Sequence, residues 1–473
     1  MLASNPIFSG ALLLLGAILS GVAHADAPDT TTRNAMCLKP LPSNPFYWEY
    51  KGMPVVLLGG SVEDNLFQIS ELEAQLDLLQ ASGGNYIRNT LSSRDEGNVW
   101  MFQQGSDGKY DLERLNEDYY TRLKLLLDLC LQRDIIVQYE LWDRFDYARE
   151  QWHGNPFRPI NNVNYTVETS GMRNEYAEHP GTNQNSFFRS IPKRDNNTVL
   201  LPYQQKHMDR VLEISLPYPN VIYCMDNETG ANPDWGAYWS TYVKEKAAAL
   251  GVIVQTTEMW DDWNLQGEQH KKTLDHPELY SFVDTSQNNQ QKGQRHWDNL
   301  QWVRAYLKDA PRPVNHVKCY GADGGQFGNS QDGVERFWRS LVGGAASIRF
   351  HRPTTGLGLS ERAQRNIKSA RMFAEAFDLM ASSPMTRKDV VGKLLNDVDD
   401  NEAHVSRGEN VVAIYMPRGG QVTLLSGAFG EMPKLRWLDI DRSAWGEPVL
   451  LNGNDPVIET PGKGQWLALV ASP

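Results

Sequence analysis

Short apolar runs alternate with amphipathic stretches through the body of the chain. The apolar runs are short enough to be buried strands, and they begin near residues 54, 85, 134, 220, 252, 280, 313 and 346. Between them, apolar residues recur at helical spacing, over residues 70–81, 116–132, 202–213, 235–250, 294–308, 331–342 and 360–379. Eight strands that alternate with helices predict a parallel sheet, and the number eight predicts closure into a (β/α)8 TIM barrel. A doubly wound open sheet is the alternative, but Gly59-Gly60-Ser61 lacks a dinucleotide-binding glycine pattern.

Two of the predicted strand–helix units are longer than the others. The extra residues of the second and third units precede the next helix, so they belong to loops at the carboxyl ends of the strands, where barrel enzymes build their sites. The longer insertion, from Trp142 to about Leu201, contains many aromatic and amide side chains. It is predicted to form a lid or a subsite wall, and a disordered excursion is the alternative.

The pattern changes after Pro384. Apolar and polar residues then alternate with period two between turns, over residues 411–417, 421–425, 434–439 and 465–470. This predicts a barrel domain over residues 26–383 and an antiparallel β-sandwich domain over residues 384–473.

The first residues resemble a targeting segment. Residues 7–22 are almost wholly apolar and are followed by Ala23-His24-Ala25, which fits the small-residue pattern of a cleavage site. Residues 1–25 are therefore predicted to be a signal peptide, with an uncleaved anchor as the alternative, and the protein is predicted to be secreted or periplasmic. No later apolar run is long enough to span a membrane, so no stable membrane span is expected after cleavage.

The amino-acid composition narrows the classes of ligand and cofactor that this chain is expected to bind. The chain has 46 Lys+Arg against 58 Asp+Glu, a net charge of −12, which argues against a nucleic-acid partner because such affinity comes largely from basic residues. The 4 cysteines fit neither a zinc motif nor a dense disulfide framework, so we expect no metal and no cofactor. The 14 Trp and 19 Tyr suit a carbohydrate ligand, since flat rings stack on sugar faces, although large cores also use them.

The clearest chemical signal follows the fourth predicted strand, where Asn227 and Glu228 come directly after an apolar run. Glycoside cleavage needs one carboxylic acid to protonate the leaving oxygen and a second carboxylate to attack or to activate water. Glu228 is predicted to be the general acid, with Asn227 binding a sugar hydroxyl. The alternative for Glu228 is a loop acid that caps the next helix.

With Asn227-Glu228 at this position, the chain resembles the clan A (β/α)8 glycoside hydrolases, whose acid/base Glu follows an Asn after strand four. The stretch Asn44-Pro-Phe-Tyr-Trp-Glu-Tyr-Lys-Gly-Met-Pro-Val-Val-Leu-Leu-Gly-Gly60 is similar to the opening of apiosidase-like members. Residues 414–420 and 435–439 are similar to the collagen-binding-type β domain that often follows that barrel. The resemblance implies a retaining glycosidase that acts on a polysaccharide or oligosaccharide.

The seventh predicted strand departs from that family. The clan has a nucleophilic Glu at its end, whereas here Lys318 stands before Cys319-Tyr320-Gly321, with no carboxylate before Asp323. The second carboxylate must then come from elsewhere. The candidates are Glu140, Asp143, Glu258, Asp284, Asp64 and Asp323, and of these we expect Glu258 in the first place or Glu140. Either could instead be a buried partner of an arginine. The departure leaves both a retaining and an inverting mechanism open.

Other polar or aromatic side chains lie at or just beyond the predicted strand ends. Those predicted to contact the substrate, in addition to Asn227, are Asp64, Arg88, Asn89, Trp142, Asp143, Trp260, Asp284, His316, Lys318, Tyr320, His351 and Arg352. Trp142, Trp260 and Trp263 are the predicted stacking platforms, with packing in the core or rim as the alternative for each.

These observations favour an exported glycoside hydrolase without a metal. Two alternatives remain at this stage. A barrel that lost the strand-seven acid could bind glycans without cleaving them. A polysaccharide lyase could use Lys318, His316 or Tyr320 to abstract a proton beside a uronate carboxylate.

Overall fold

A computed structural model describes residues 29–182, 185–230, 232–398, 402–430 and 432–472. Its largest sheet has eight parallel strands, β1 to β8 in chain order: Leu57–Gly60, Tyr86–Thr90, Ile136–Asp143, Val221–Asn227, Thr256–Thr257, Val283–Asp284, Val314–Cys319 and Ser347–Phe350. Their order in the sheet is 5-4-3-2-1-8-7-6. The two edges meet where the Ser281 N–H donates to the Thr256 carbonyl at 3.0 Å, between the entry to β6 and strand β5. The predicted (β/α)8 barrel is confirmed.

A helix follows each strand of the barrel. These helices, α1 to α8, are Leu72–Ala81, Glu117–Gln132, Leu201–Ser215, Pro233–Ala249, Glu268–Leu274, Gly293–Tyr306, Ser330–Val342 and Glu361–Ala376. The predicted positions agree, and the sequence pattern missed α5, which at 7 residues is too short to show helical periodicity. Strands β3 and β4 run further than predicted, to Asp143 and Asn227, so both residues belong to the sheet.

The amino end of the barrel is closed by an N-terminal antiparallel sheet, with strands Lys39–Pro40, Trp48–Tyr50 and Met53–Val55. The buried indole of Trp48 donates to Asn315 Oδ1 at 3.0 Å. Asn315 in turn donates to Gln138 Oε1 at 3.3 Å, and the Tyr86 hydroxyl donates to the same oxygen at 2.6 Å. The interior at this end is therefore filled by hydrogen-bonded side chains and offers no channel, as is usual for TIM barrels.

The two insertions contain short elements. The first carries a two-stranded hairpin, Phe102–Gln104 and Tyr110–Leu115. The second contains one-turn α-helical and 3₁₀ segments: Arg144–Tyr147, Arg149–Trp152, Pro159–Asn161, Val167–Ser170, Pro180–Thr182 and Ser186–Arg189. Phe187 and Tyr147 of this insertion pack with ring centroids 4.1 Å apart, and both are buried. Phe187 also packs on Trp235 of α4, with ring centroids 5.7 Å apart, so this part of the insertion packs against the barrel.

The C-terminal region contains two further antiparallel sheets. One has the strands Ser383–Pro384, His404–Arg407, Val411–Met416, Trp466–Ala471, Lys434–Asp439, Ala444–Trp445 and Val449–Leu450. The other has Leu395–Asn396, Gln421–Leu424 and Val457–Glu459. Buried side chains such as Val405, Ile414, Val422 and Ile458 share one apolar cluster between the sheets, so the period-two pattern reflects one face turned to that core.

The C-terminal sheets pack on the barrel helices. Trp338 of α7 stacks on Tyr415, with ring centroids 6.0 Å apart, and donates its indole N–H to Asn366 of α8 at 2.8 Å. Trp297 of α6 stacks on His404 at 4.8 Å. The contact involves helices far from the carboxyl ends of β3 and β4, so the C-terminal region supports the barrel wall.

Within the ranges above, no helix is long and apolar enough to cross a membrane. Residues 1–25, the predicted signal peptide, lie outside the described residues.

Close packing between β1 and β2 gives a stability prediction. A Cβ at Gly59 would lie 2.0 Å from the Tyr86 carbonyl oxygen, and a backbone atom inside a barrel cannot move away cheaply. We expect Gly59→Ala to lower the free energy of unfolding by about 3 kcal/mol or more in urea denaturation. Gly427→Ala is the matched control, because a Cβ there meets nothing within 4 Å. Equal stability of the two variants would contradict this packing.

Candidate active site

Glu228 stands at the carboxyl end of β4, immediately after Asn227. Its backbone has φ of +63°, in the left-handed region that non-glycine residues seldom adopt. Such strain persists only where surrounding contacts enforce it, and it is frequent at functional sites. The side chain is 12% exposed, so the carboxylate is largely buried but open to the barrel mouth.

Lys318 of β7 holds this carboxylate. Its ammonium lies 2.5 Å from Glu228 Oε1 and donates to Asn227 Oδ1 at 2.7 Å, and its side chain is only 2% exposed. The Asn227 amide donates to Asp143 Oδ1 at 2.9 Å. Strands β3, β4 and β7 are thus joined across the mouth by one chain of hydrogen bonds.

An irregularity in β7 aims Lys318 into the barrel. Side chains of a regular strand alternate between its two faces, so Asn315 and Lys318, three positions apart, would point in opposite directions. The pairing of β7 with β8 shifts register between His316 and Cys319. Both Asn315 and Lys318 consequently contact groups inside the barrel.

A second cluster lies beside the first. Arg88 of β2 is ion-paired with Asp64 at 2.7 Å and with Glu140 of β3 at 2.5 Å. Asp64 also lies 3.1 Å from Arg349 and 3.3 Å from the His351 ring. Burial acts to raise the pKa of Asp64, but Arg88, His351 and Arg349 hold it well below its usual value. Glu140 is therefore the arginine partner that the sequence left as an alternative.

Electrostatics set the ionisation of Glu228. Burial alone would raise its pKa, but the Lys318 ammonium, with Arg88 and His351, lowers it below the ordinary value. Burial lowers the pKa of His351 to about 4 despite Asp64, so the ring is neutral near pH 7. The Tyr320 ring packs on the His351 ring, with ring centroids 4.9 Å apart. Burial, and secondly the negative charge of Glu228, raise the pKa of the Tyr320 hydroxyl well above its usual value.

Other strand-end acids have raised pKa values. Asp284 of β6 accepts from the Ser286 N–H and hydroxyl, yet burial raises its pKa to about 7.

Arg352 lies at the outer rim of the mouth. Its guanidinium is 3.3 Å from Asp64 and 3.0 Å from Glu63.

Glu258 has a different environment from the one expected for a second catalytic carboxylate. It accepts from the N–H groups of Asp226 and Met259, both at 3.0 Å, and is 1% exposed. A Cβ on Gly236 of α4 would lie 2.0 Å from its Oε2, so the carboxyl is wedged between the sheet and that helix. Burial, together with Asp226, raises its pKa well above the usual value. The structure does not bring Glu258 to the Lys318 cluster.

Two of the three tryptophans predicted as sugar platforms are turned to the helices, whereas Trp263 is 52% exposed. Trp142 is 1% exposed and packs on Trp235 and Trp239 of α4, with ring centroids 5.7 and 5.1 Å away. Trp260 is 2% exposed and donates its indole N–H to Thr273 of α5 at 2.7 Å. A ring without an exposed face cannot stack on a sugar, so in this conformation both are packing residues.

Asn89 and His316 lie on the same helix-facing side. Asn89 Oδ1 accepts from the Phe67 N–H at 3.0 Å, which orders the turn after β1. His316 packs against His296 of α6 at 5.6 Å, and burial lowers its pKa to about 4. Neither side chain joins the cluster around Glu228.

Four residues around the mouth were not predicted from the sequence: Arg94, Asp146, His179 and Asp261. Arg94 lies 2.6 Å from Asp143 and 2.8 Å from Asp146, and Asp261 lies 3.5 Å from the His179 ring. Arg94 and His179 come from the insertions, where no periodic pattern marks a position. Asp261 directly follows Trp260, so its place just past a predicted strand was the one available signal.

Among the side chains that the structure describes, no group of three or more His, Cys, Asp or Glu is arranged to hold a metal ion.

Comparison with known proteins supports the fold of this chain but does not show its family. No protein-family model matches the chain, and no curated protein matches it. A glycoside hydrolase family 5 structure from Bacteroides vulgatus is similar, with a TM-score of 0.58 and 11% identity over 95% of each chain. A second structure, described as a glycoside hydrolase, has a TM-score of 0.61 and 11% identity over 94% of this chain and 98% of that one. At such identity these likenesses establish a shared fold that includes the barrel.

The Lys318–Glu228 pair predicts a pH-dependent stability effect. Lys318→Met leaves the Glu228 carboxylate buried without a counter-charge, which should cost about 3–5 kcal/mol of unfolding free energy at neutral pH. In the unsubstituted protein the lowered pKa of Glu228 contributes stability above its unfolded-state pKa, which is lost as pH falls through the folded-state value. The cost of Lys318→Met should therefore shrink toward acid pH.

The measurement is urea denaturation across a pH series. The double variant Lys318→Met with Glu228→Gln removes both charges and should recover most of the loss. If the single and double variants are equally destabilised at every pH, the charge pair is not the cause.

Proposed function

We propose that this chain is an exported glycoside hydrolase that acts on a polysaccharide or an oligosaccharide. The observation that carries the proposal is the strained, largely buried Glu228, held by Lys318 at the carboxyl-end mouth of a TM barrel. Barrel enzymes place their reacting groups at this end, and carboxyl groups are what glycoside hydrolysis requires. The similar fold of the family 5 structure supports the same activity.

The ionisation of Glu228 bears on its role. The sequence suggested a general acid, which must hold a proton before the reaction. With its pKa lowered beside Lys318, Glu228 is an anion at neutral pH and is suited to act as a base or a nucleophile. Lys318 stands near the end of β7, where the clan A enzymes have their nucleophilic Glu. Its ammonium then stabilises the ionised carboxylate of Glu228.

The alternatives have less support. A lyase base must be deprotonated, but the Lys318 ammonium is ion-paired with Glu228, and His316 faces α6. Export rests on the apolar segment before residue 26 and remains a prediction, as does the apiosidase-like resemblance.

The test is release of reducing ends from a panel of acidic and neutral polysaccharides, including apiose-containing glycans. We expect turnover on at least one of them, and Glu228→Gln should lower kcat by about 100-fold or more. Glu361→Gln, an exposed carboxylate at the start of α8, is the matched control and should retain full activity. Circular dichroism and thermal unfolding establish that each variant is folded.

Three outcomes would contradict the proposal. Saturable glycan binding without product would favour the binding protein. A product that absorbs in the ultraviolet, from a new double bond, would favour the lyase. Full turnover by folded Glu228→Gln would remove Glu228 from the chemistry.

A further inference from the structure

Asp261 is placed beside Glu228 by the ends of two adjacent strands. Beyond β4 and β5, Thr229 and Trp260 form an isolated parallel bridge. The Thr229 N–H donates to the Met259 carbonyl at 2.9 Å, and the Asp261 N–H donates to the Thr229 carbonyl at 2.8 Å. The residues that flank this bridge, Glu228 and Asp261, are therefore fixed relative to each other by backbone hydrogen bonds.

The long insertion covers this pair. A Cβ on Gly181 would lie 2.8 Å from Asp261 Oδ2 and 3.4 Å from the Glu228 carbonyl oxygen. The same turn brings the His179 ring to 3.5 Å from Asp261 Oδ2. The turn at Gly181 therefore lies directly against the Asp261 carboxyl and the Glu228 backbone.

Asp261 differs from Asp64, Glu140 and Asp143 in what holds its carboxyl. Asp64, Glu140 and Asp143 are each ion-paired with an arginine. Asp261 has the imidazole of His179 beside it instead, and its side chain is 31% exposed. It combines access from solvent with closeness to Glu228.

We infer that Asp261 is the second reacting carboxylate of this site, the general acid that protonates the leaving glycosidic oxygen while Glu228 acts as the base. This inference rests on the proposed glycoside hydrolysis and assigns the partner of Glu228 within it. It replaces Glu258 and Glu140 as the second carboxylate.

The step balances with one water. The bond between the anomeric carbon and the glycosidic oxygen breaks, and that oxygen takes the proton of Asp261. A water oxygen bonds to the anomeric carbon, and the proton that this water loses passes to Glu228. Transfer of that proton back to Asp261 through solvent restores the site.

The surrounding charges agree with these roles. Burial and the negative charge of Glu228 raise the pKa of Asp261, and His179 and Lys318 oppose the rise while Asp262 adds to it. The pKa of Glu228 is lowered. Two carboxyls whose pKa values are pushed apart are the usual acid and base of such a pair.

The experiment compares two leaving groups. The substrates are the polysaccharide found active in the panel and the 2,4-dinitrophenyl glycoside of the sugar it releases, whose phenolate leaves without a proton. We expect Asp261→Asn to lower kcat on the polysaccharide by about 100-fold or more and on the dinitrophenyl glycoside by less than about tenfold. Glu228→Gln should lower both strongly.

The pH profile gives a second readout. Activity should fall below the Glu228 pKa, where the base is protonated, and above the Asp261 pKa, where the acid has lost its proton. With the polysaccharide, the alkaline limb should disappear in Asp261→Asn, whose residual activity no longer depends on that proton. In His179→Gln it should move to higher pH, because the imidazole that opposes the raised pKa is gone.

Glu268→Gln is the matched control, an exposed acid at the start of α5 that lies outside the proposed site, and should behave like the unsubstituted enzyme. Suppose that the unsubstituted enzyme is active. If Asp261→Asn then keeps full turnover of the polysaccharide, or if its kcat falls equally on both substrates, Asp261 is not the general acid, but the proposed hydrolase activity stands. If the unsubstituted enzyme cleaves nothing in the panel, the proposed function fails and this inference with it.

Discussion

A lysine ammonium almost removed from water needs a counter-charge close by, and the mouth of this barrel is arranged around that requirement. Lys318 is 2% exposed and meets Glu228 at 2.5 Å, with Asn227 as its second partner. Breaking such a pair leaves a buried charge uncompensated, which costs far more than forming the pair gains. The constraint fixes where the Glu228 carboxylate lies and keeps it ionised.

The same requirement extends through the rest of the mouth. Arg88 bridges Asp64 and Glu140, and Arg94 bridges Asp143 and Asp146. These pairs join β2 and β3 to the loop after β1 and to the two insertions, so the charged side chains hold one another in place. Preorganised charges of this kind give catalytic sites much of their effect. The buried charges and the left-handed backbone of Glu228 both lower the free energy of unfolding. Burial of the large apolar core offsets this loss.

The sequence allowed the barrel to be predicted because hydrophobic periodicity depends on nearest neighbours along the chain. It failed where that periodicity breaks. Regular alternation would turn Trp142 to the same side as Glu140, yet Trp142 packs on α4 while Glu140 binds Arg88. Glu258 directly follows β5 but is wedged between the sheet and α4. In β7 a shift of register reverses the direction of Lys318, and no composition or spacing in the sequence marks it.

Taken alone, the amino-acid sequence determined the order of strands and helices, the β-rich C-terminal region and the position of Asn227-Glu228 at a strand end. Those are local properties, set by burial patterns within each segment. Tertiary structure alone decided that Lys318 faces Glu228 and that Asp261 lies beside it. Such contacts depend on barrel closure, strand register and the path of the insertion, which are fixed only when the whole chain packs.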